Sequence, residues 1–216
     1  MVRRTPRGPH LFAHDSALGR RFVAGADEAG RGSLAGPLVA AAVLFDQTRI
    51  GPGELRVLAQ LDDSKAHDHA ARASLYPLVM AIASRVAIVS RSAASIDARG
   101  LHVTNLEALR TALRMVACDG AICLSDGFAV AELGYEQRAL IKGDATSAAI
   151  AAASVVAKET RDRYMRRVDQ RNPGFGFARH VGYASPEHRS AIMRLGVTPL
   201  HRRSFRSTAY QQLSFE

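Results

Sequence analysis

The sequence predicts an α/β fold. Short, apolar, β-prone segments alternate along the chain with longer segments whose apolar residues recur at helical spacing. This alternation is typical of helices packed on the faces of a sheet. The 216 residues, of which 47% are apolar, suffice for one substantial core and a small appended unit.

Five of the short segments are predicted strands. The first two cover residues 22–27 and 37–46 and are apolar almost throughout, so we expect both to be buried. Residues 85–90 form a β-branched run. Residues 121–126 form a short apolar strand ending in an acid, and residues 138–142 form a strand followed by a glycine and an acid.

The longer segments are predicted helices over residues 67–84, 104–117, 147–168 and 186–195. In the first of them, the apolar residues between Leu75 and Ile82 recur at helical spacing. The second is predicted to begin at Thr104, because Thr104 and Glu107 fit a capping box. The third is rich in alanine.

Composition divides the chain into three parts. Residues 1–20 are basic and contain two prolines and two glycines, which predicts a flexible N-terminal arm. Residues 21–169 hold the alternating strands and helices of the main domain. Residues 170–216 are predicted to form a small C-terminal appendage of helices and loops that contributes to substrate binding.

The formal net charge of +9 is concentrated at both ends of the chain. The net charge is +4 over residues 1–21 and +8 over residues 158–206, but −2 over residues 22–157. Basic flanks around a mildly acidic centre suit a polyanion held over a carboxylate site. A solvated basic surface fits the same composition, which leaves both interpretations open.

The cysteines indicate a reducing compartment. Cys118 and Cys123 match no zinc spacing and are too few for a disulfide framework, so we expect reduced thiols in a cytoplasmic protein. No apolar run approaches the roughly 18 residues of a membrane span, and the N-terminus lacks the apolar stretch of a signal peptide.

Four acidic residues stand at predicted strand ends or strand-to-helix turns: Asp27, Glu28, Asp126 and Asp144. Taken singly, Asp126 before a glycine is typical of a turn, and Asp144 of a helix cap. Together they predict an all-oxygen site for Mg²⁺ or Mn²⁺. Two such ions about 3.5–4 Å apart would clamp the attacking and leaving oxygens of a phosphoryl transfer.

Asp27 and Glu28 present a geometric difficulty. Neighbouring residues of a regular strand point to opposite faces. A shared site therefore requires the backbone to bend at these residues, and Gly30 and Gly32 just downstream make such a bend available.

Seven segments match those of a known family and lie in the family's order along the chain. They are GADEAGRG (25–32), DSK (63–65), SDG (125–127), KGD (142–144), AASVVAK (152–158), HVGY (180–183) and HRRSF (201–205). The chain resembles type-2 ribonuclease H, the bacterial ribonuclease HII family. The resemblance implies a ribonuclease H-like fold, with a mixed central sheet flanked by helices and a small C-terminal helical subdomain.

The resemblance also implies an activity. The enzyme would be a Mn²⁺- or Mg²⁺-dependent endonuclease that cuts the RNA strand of RNA–DNA hybrids. It would also incise 5′ to single ribonucleotides embedded in duplex DNA, leaving a 5′-phosphate and a 3′-hydroxyl, as in ribonucleotide excision repair. We expect it to act as a monomer.

Roles for individual residues follow from the same resemblance. Asp27, Glu28 and Asp126 would be metal ligands, and Asp144 would complete the catalytic carboxylate set. The backbone of the Gly-Arg-Gly segment would read the ribose 2′-hydroxyl, the group that distinguishes RNA from DNA. The residues that would contact the substrate are Gly30, Arg31, Gly32, Ser64, Lys65 and Tyr183.

Three positions depart from the family pattern, of which Ser125, where an apolar residue is usual, is a minor change. The other two concern lysines. Ala66 follows Lys65 where a second lysine is usual, and Val181 follows His180 where a lysine is usual. Both departures remove a positive charge that would face the nucleic-acid backbone, so they bear on affinity rather than on chemistry.

The last residues suggest a protein partner. Gln212, Leu213 and Phe215 resemble a shortened form of the peptide by which bacterial repair proteins dock on the replication sliding clamp. A frayed terminus or a packing contact explains the same residues, and is favoured because short motifs often match by chance.

Two alternative functions fit parts of the same pattern. Ribonuclease HIII shares the acidic set but normally carries an extra N-terminal domain, whereas only 24 residues precede Gly25. A catalytically inactive protein that binds RNA–DNA hybrids is disfavoured because all four acids are intact.

Overall fold

The structure is a computed structural model that describes residues 7–61 and 69–205 together with Ser207 and Tyr210. Its centre is a sheet made of β1 (Phe22–Ala29), β2 (Leu38–Asp46), β3 (Arg85–Arg91), β4 (Ala121–Asp126) and β5 (Glu136–Leu140). The spatial order is β3-β2-β1-β4-β5. β1 pairs antiparallel with β2, and β2 with β3, whereas β1 with β4 and β4 with β5 are parallel pairs. The predicted α/β class is confirmed, with a mixed sheet.

The helices of the described residues are α1 (Gly8–Ala17), α2 (Pro52–Val57), α3 (His69–Ile82), α4 (Ala93–Arg99), α5 (Leu101–Val116), α6 (Ala148–Asp169), α7 (Phe177–His180) and α8 (Pro186–Leu195). Within the described part of the chain, none of them is both long and apolar enough to cross a membrane.

Two helices cover the two faces of the sheet. α6 packs on β1 and β2 from one side, and α5 packs on β1, β2 and β3 from the other. The alternation along β1 shows this division, because Val23 and Ala29 join the core under α6 while Ala24 and Ala26 join the core under α5. β1 is therefore buried on both faces, as its apolar sequence predicts.

α6 is the long alanine-rich helix predicted over residues 147–168. The Ser147 hydroxyl caps it by accepting a hydrogen bond from the Ile150 amide at 3.4 Å. Its first residues, from Ala148 to Ala153, are completely buried. Five of these six residues are alanines, whose short side chains let the helix lie close against the central strands.

Residues 8–17 form α1 rather than the flexible arm that the sequence predicts. Leu11 and Phe12 are buried, and the Phe12 ring lies 5.2 Å from that of Phe45. The buried Asp15 carboxylate accepts a hydrogen bond from the Ala149 amide at 2.9 Å, at the positive end of α6. Basic composition and turn residues concealed this short apolar stripe.

The predicted capping box at Thr104 is wrong. Thr104 lies inside α5, where its hydroxyl donates to the Gly100 carbonyl at 2.8 Å. Such back-bonding within a helix is the common alternative for a threonine hydroxyl. The preceding helix α4 was not predicted, although the Ser92 hydroxyl caps it by accepting from the Ser95 amide at 3.2 Å.

The C-terminal helices pack against the end of α6. Phe175 and Phe177 stack with ring centroids 5.2 Å apart and share a small core with Met165 of α6 and Ala35. Ala35 belongs to the loop after β1. The C-terminal unit therefore contacts the main domain at the loop that follows β1.

Candidate active site

The C-terminal ends of β1 and β4 open onto one cavity of about 350 Å³. The last residues paired between these parallel strands are Ala26 and Ser125. The next residue on each strand is an acid, Asp27 on β1 and Asp126 on β4. Such strand ends are where sites assemble in α/β proteins. The cavity is lined by Asp27, Glu28, Ala29, Gly30, Arg31, Gly32, Arg72, Asp126, Phe128, Ser154, Lys158 and Tyr183.

Asp27 is the deepest of these acids. Its carboxylate accepts hydrogen bonds from the Glu28 amide at 2.7 Å and from the Ser154 hydroxyl of α6. Burial raises the pKa of Asp27 to about 8, and the nearby charges of Glu28 and Asp126 add to the increase. The negative charges of Glu28 and Asp126 thus act on Asp27 at this end of the sheet, and a bound cation would relieve their repulsion.

The bend expected at the two neighbouring acids is absent. β1 stays paired with β2 through Asp27, Glu28 and Ala29, and the chain turns only at Gly30. Asp27 faces α6, and by strand alternation Glu28 lies on the opposite face. Both nevertheless line the cavity at this end of the strand.

Asp126 and Asp144 are linked through a tight turn. One Asp126 oxygen accepts a hydrogen bond from the Gly143 amide at 2.7 Å, which places the turn Gly143–Ala145 beside the end of β4. Asp144 is buried in that turn but does not line the cavity. The cap of α6 is Ser147, so the alternative role of Asp144 as the helix cap is not observed.

The donor set fits a hard divalent cation. Its side chains are carboxylates with a hydroxyl beside them, which are the ligands that Mg²⁺ and Mn²⁺ prefer. Within the described ranges, no group of three His, Cys, Asp or Glu residues is arranged to hold a metal ion.

Positive side chains form the wall of the cavity. The Arg31 guanidinium lies 3.7 Å from a Glu28 oxygen and 4.4 Å from the centre of the Phe128 ring. On the other side, Lys158 and Arg72 flank the carboxylate of Asp162, at 2.7 Å and 3.4 Å. An acidic floor beneath a cationic wall suits a phosphate ester.

The loop after β1 is held by the C-terminal unit. The Gly182 carbonyl accepts hydrogen bonds from the amides of Leu34 and Ala35 at 2.8 and 3.2 Å. The Gly36 amide donates to the Leu200 carbonyl, and Ala35 forms an isolated bridge with His201. A loop that starts with Gly30-Arg31-Gly32 thus has a fixed backbone.

Two completely buried arginines fix the same loop from below. Arg161 of α6 donates to the carbonyls of Pro37 and Ala35 and to the Ser33 hydroxyl, at 2.7–3.0 Å. Arg202 donates to the carbonyls of Gly36 and Arg31 at 2.9–3.1 Å.

The Arg161 guanidinium also restricts the loop sequence. A Cβ on Gly30, which has a φ of +85°, would lie 1.9 Å from the Arg161 Nε, so only glycine fits there. Burial and the charge of Arg161 lower the pKa of Arg202 to about 9. A single sequence carries no sign of Arg161, whereas Arg202 lies in one of the recognised segments.

Tyr183 stands at the rim of the cavity with 38% of its surface exposed. Its ring centre lies 5.5 Å from both the Lys158 ammonium and the Arg161 guanidinium carbon. The structure therefore brings Tyr183 from the C-terminal unit to the same cavity as Asp27 and Glu28.

Some predicted site residues fall outside the described part of the chain. These are Ser64 and Lys65, and the three tail residues Gln212, Leu213 and Phe215. Within the described part, sequence reasoning gave no role to Arg72 and Phe128, which line the cavity.

Comparison with known proteins gives consistent matches. A family model described as Ribonuclease HII matches residues 24–208. A Ribonuclease HII of Mycobacterium tuberculosis is 47% identical over 192 residues, covering 89% of this chain and 70% of that protein. One from Nocardia farcinica is 48% identical over 185 residues, covering 86% and 72%. The solved ribonuclease H2 of Pyrococcus horikoshii covers 90% of this chain and 97% of its own, with a TM-score of 0.75 and 26% identity.

Proposed function

The chain belongs to the ribonuclease HII family and is a ribonuclease H, a hydrolase that cuts within RNA–DNA hybrids, and on this premise we propose its finer specificity and mechanism. We propose that it also incises 5′ to single ribonucleotides in duplex DNA, by two-metal-ion hydrolysis that leaves a 5′-phosphate and a 3′-hydroxyl. The supporting observation is that one cavity combines the carboxylates with Gly30-Arg31-Gly32 and Tyr183.

In this proposal Asp27, Glu28 and Asp126 hold the metal ions, and Asp144 completes the catalytic set. Bound Mg²⁺ or Mn²⁺ would supply activation of water and neutralisation of charge at the scissile phosphate. The Ser154 hydroxyl and the Glu28 amide orient the Asp27 carboxylate. The Gly143 amide orients Asp126 in the same way.

Sugar recognition falls to the loop after β1. The backbone around Gly30 and Gly32 can approach a ribose closely, and its peptide groups can pair with a 2′-hydroxyl, which both donates and accepts. The backbone is already fixed by Arg161 and Arg202, so little conformational entropy is lost on binding. Arg31 contacts phosphate, and Tyr183 packs against the sugar next to the ribonucleotide.

Further proposals concern the remaining parts of the chain. Ser64 and Lys65 contact the phosphate backbone, and residues 170–216 act as a substrate-binding appendage to the catalytic domain of residues 21–169. The protein works as a monomer in the cytoplasm. Docking of Gln212, Leu213 and Phe215 on the sliding clamp stays a prediction, which deletion of residues 212–216 tests: unchanged clamp affinity would contradict it.

The decisive assay offers three end-labelled duplexes with Mg²⁺ or Mn²⁺: all DNA, DNA with one ribonucleotide, and an RNA–DNA hybrid. We expect the wild type to cut the last two and spare the first, and Asp126→Asn to abolish cutting. Asp119→Asn is the matched control, since Asp119 is exposed beyond the opposite end of β4. A wild type that binds the hybrid without cutting it would favour the inactive binding protein. Undiminished cutting by Asp126→Asn would refute the carboxylate mechanism.

A further inference from the structure

Three histidines lie side by side in the C-terminal unit, away from the cavity lining. His188 of α8 is completely buried and His201 is 2% exposed. The His188 ring centre lies 4.4 Å from that of His180 and 5.3 Å from that of His201. Phe175 and Phe177 pack around them. The proposed mechanism uses none of these imidazoles.

The hydrogen-bond partners fix the proton on each ring of the histidine pair, His188 and His201. The Thr198 amide lies 2.9 Å from the His201 Nδ1, and because a peptide N–H only donates, this nitrogen accepts. The proton of His201 therefore resides on Nε2, which lies 3.2 Å from the His188 Nε2. That atom must accept, so the His188 proton resides on Nδ1 and is donated to the Tyr183 carbonyl at 2.9 Å.

Burial keeps both rings neutral. It lowers the pKa of His188 and of His201 to about 4. The neighbouring His180 lowers the pKa of His188 further, and Arg203 does the same for His201. A neutral imidazole has one donor and one acceptor, and each ring of the pair uses both. The result is one directed chain of hydrogen bonds from the Thr198 amide to the Tyr183 carbonyl.

The Gly182–Tyr183 backbone is therefore held from two sides. The Gly182 carbonyl accepts from the loop after β1, and its amide donates to the His180 Nδ1 at 3.2 Å. The next carbonyl, that of Tyr183, is the acceptor at the end of the histidine pair. These bonds oppose a rotation of this backbone that would move the Tyr183 ring.

We propose that His188 and His201 are positioning residues. They hold the Tyr183 ring in the position where it packs against the sugar beside the cleaved ribonucleotide. Neither imidazole touches the substrate. The pair sets selectivity through Tyr183, so the inference rests on the role proposed above for that ring. The expected consequence is a loss of incision at an isolated ribonucleotide that exceeds the loss on a long hybrid, where every sugar carries the hydroxyl.

The test uses the full chain and two variants of one position. His188→Leu removes the donor to the Tyr183 carbonyl, whereas His188→Asn can keep a donor close to the Nδ1 position. We expect His188→Leu to lower the ratio of kcat/KM on the single-ribonucleotide duplex to kcat/KM on the hybrid by about tenfold, the equivalent of one neutral hydrogen bond. We expect His188→Asn to restore most of this ratio. His10→Leu on the exposed surface of α1 is the matched control.

Combining His188→Leu with Tyr183→Ala separates the role proposed for Tyr183 from the role proposed for the histidine pair. If the histidine pair acts through Tyr183, His188→Leu adds nothing to the ratio in the Tyr183→Ala background. An unchanged ratio in Tyr183→Ala alone would overturn both the role of Tyr183 and this inference. A changed ratio in Tyr183→Ala together with an unchanged ratio in His188→Leu would overturn only the inference.

Nitrogen-15 NMR of the wild-type histidines provides a measurement that does not depend on the folding of any variant. We expect the protonated nitrogen to be Nδ1 in His188 and Nε2 in His201 at pH 7. The reverse assignment for either ring, or a positively charged ring, would refute the directed chain of hydrogen bonds.

Discussion

Replacing Asp27 by asparagine should make the metal-free protein more stable while destroying its activity. Asp27 is buried beside Glu28 and Asp126, and its pKa is raised from 3.8 to about 8. The folded state therefore binds the proton more tightly than the unfolded state does. Asparagine is neutral at every pH and can still accept the hydrogen bond from the Glu28 amide.

The sign and size follow from linkage. A raised folded-state pKa means that the associated stability is fully present below pH 3.8 and is lost as the pH rises towards 8. At 1.36 kcal/mol per pH unit, ionisation of Asp27 lowers the free energy of unfolding of the wild type by about 4 kcal/mol at pH 7 and by about 2 kcal/mol at pH 5. For a chain of this length, about 4 kcal/mol corresponds to a rise in Tm of roughly 8–16 °C for Asp27→Asn at pH 7.

The measurement is urea unfolding with a chelator present, at pH 5 and pH 7. It is followed by circular dichroism because the chain has no tryptophan. Asp119→Asn should change the free energy of unfolding by no more than about 0.5 kcal/mol. Adding Mn²⁺ should stabilise the wild type more than the variant. A variant that is no more stable than the wild type at pH 7, or a gain that is equal at both pH values, would refute the reasoning.

Two further predictions concern stability and loop geometry. Asp15→Ala removes the buried carboxylate that accepts from the Ala149 amide, and should lower the free energy of unfolding by roughly 1–3 kcal/mol; an unchanged urea midpoint would contradict this. Gly30→Ala should lower the Tm because its Cβ meets Arg161 at a positive φ, whereas Gly32→Ala should leave the Tm unchanged because nothing lies within 4 Å of its Cβ. Equal Tm values for the two alanine variants would contradict the steric argument.

The order of the five strands and of the helices α3, α5, α6 and α8 could be predicted from apolar patterning. β4 and α8 have the predicted bounds, because each is delimited by residues with clear turn or capping chemistry. α1 was missed since its apolar stripe is short and surrounded by basic and turn residues. α5 was predicted to start too late, because Thr104 has the sequence of a helix cap but bonds backwards to Gly100.

Site residues that lie in a family segment could be predicted. Residues that reach the site only through tertiary packing could not. Asp27 and Asp126 meet at one cavity, as their place at strand ends predicts. Arg161 could not be identified, since one arginine in a helix rich in arginine has no distinguishing pattern. Its function depends on two carbonyls and a hydroxyl of a loop 124–128 residues away in the chain, and no local property of the sequence encodes such a contact.

The bonds between Arg202 and the loop after β1 have a consequence for synthesis of the protein. The Arg202 guanidinium reaches the Arg31 carbonyl across 171 residues of chain. At typical elongation rates, roughly 10–30 s separate the translation of the two residues. During that interval a nascent chain can complete the sheet with its carboxylates while the loop after β1, for which we propose sugar recognition, still lacks the restraint from Arg202. Cleavage chemistry and sugar selectivity would then mature at different times on the ribosome.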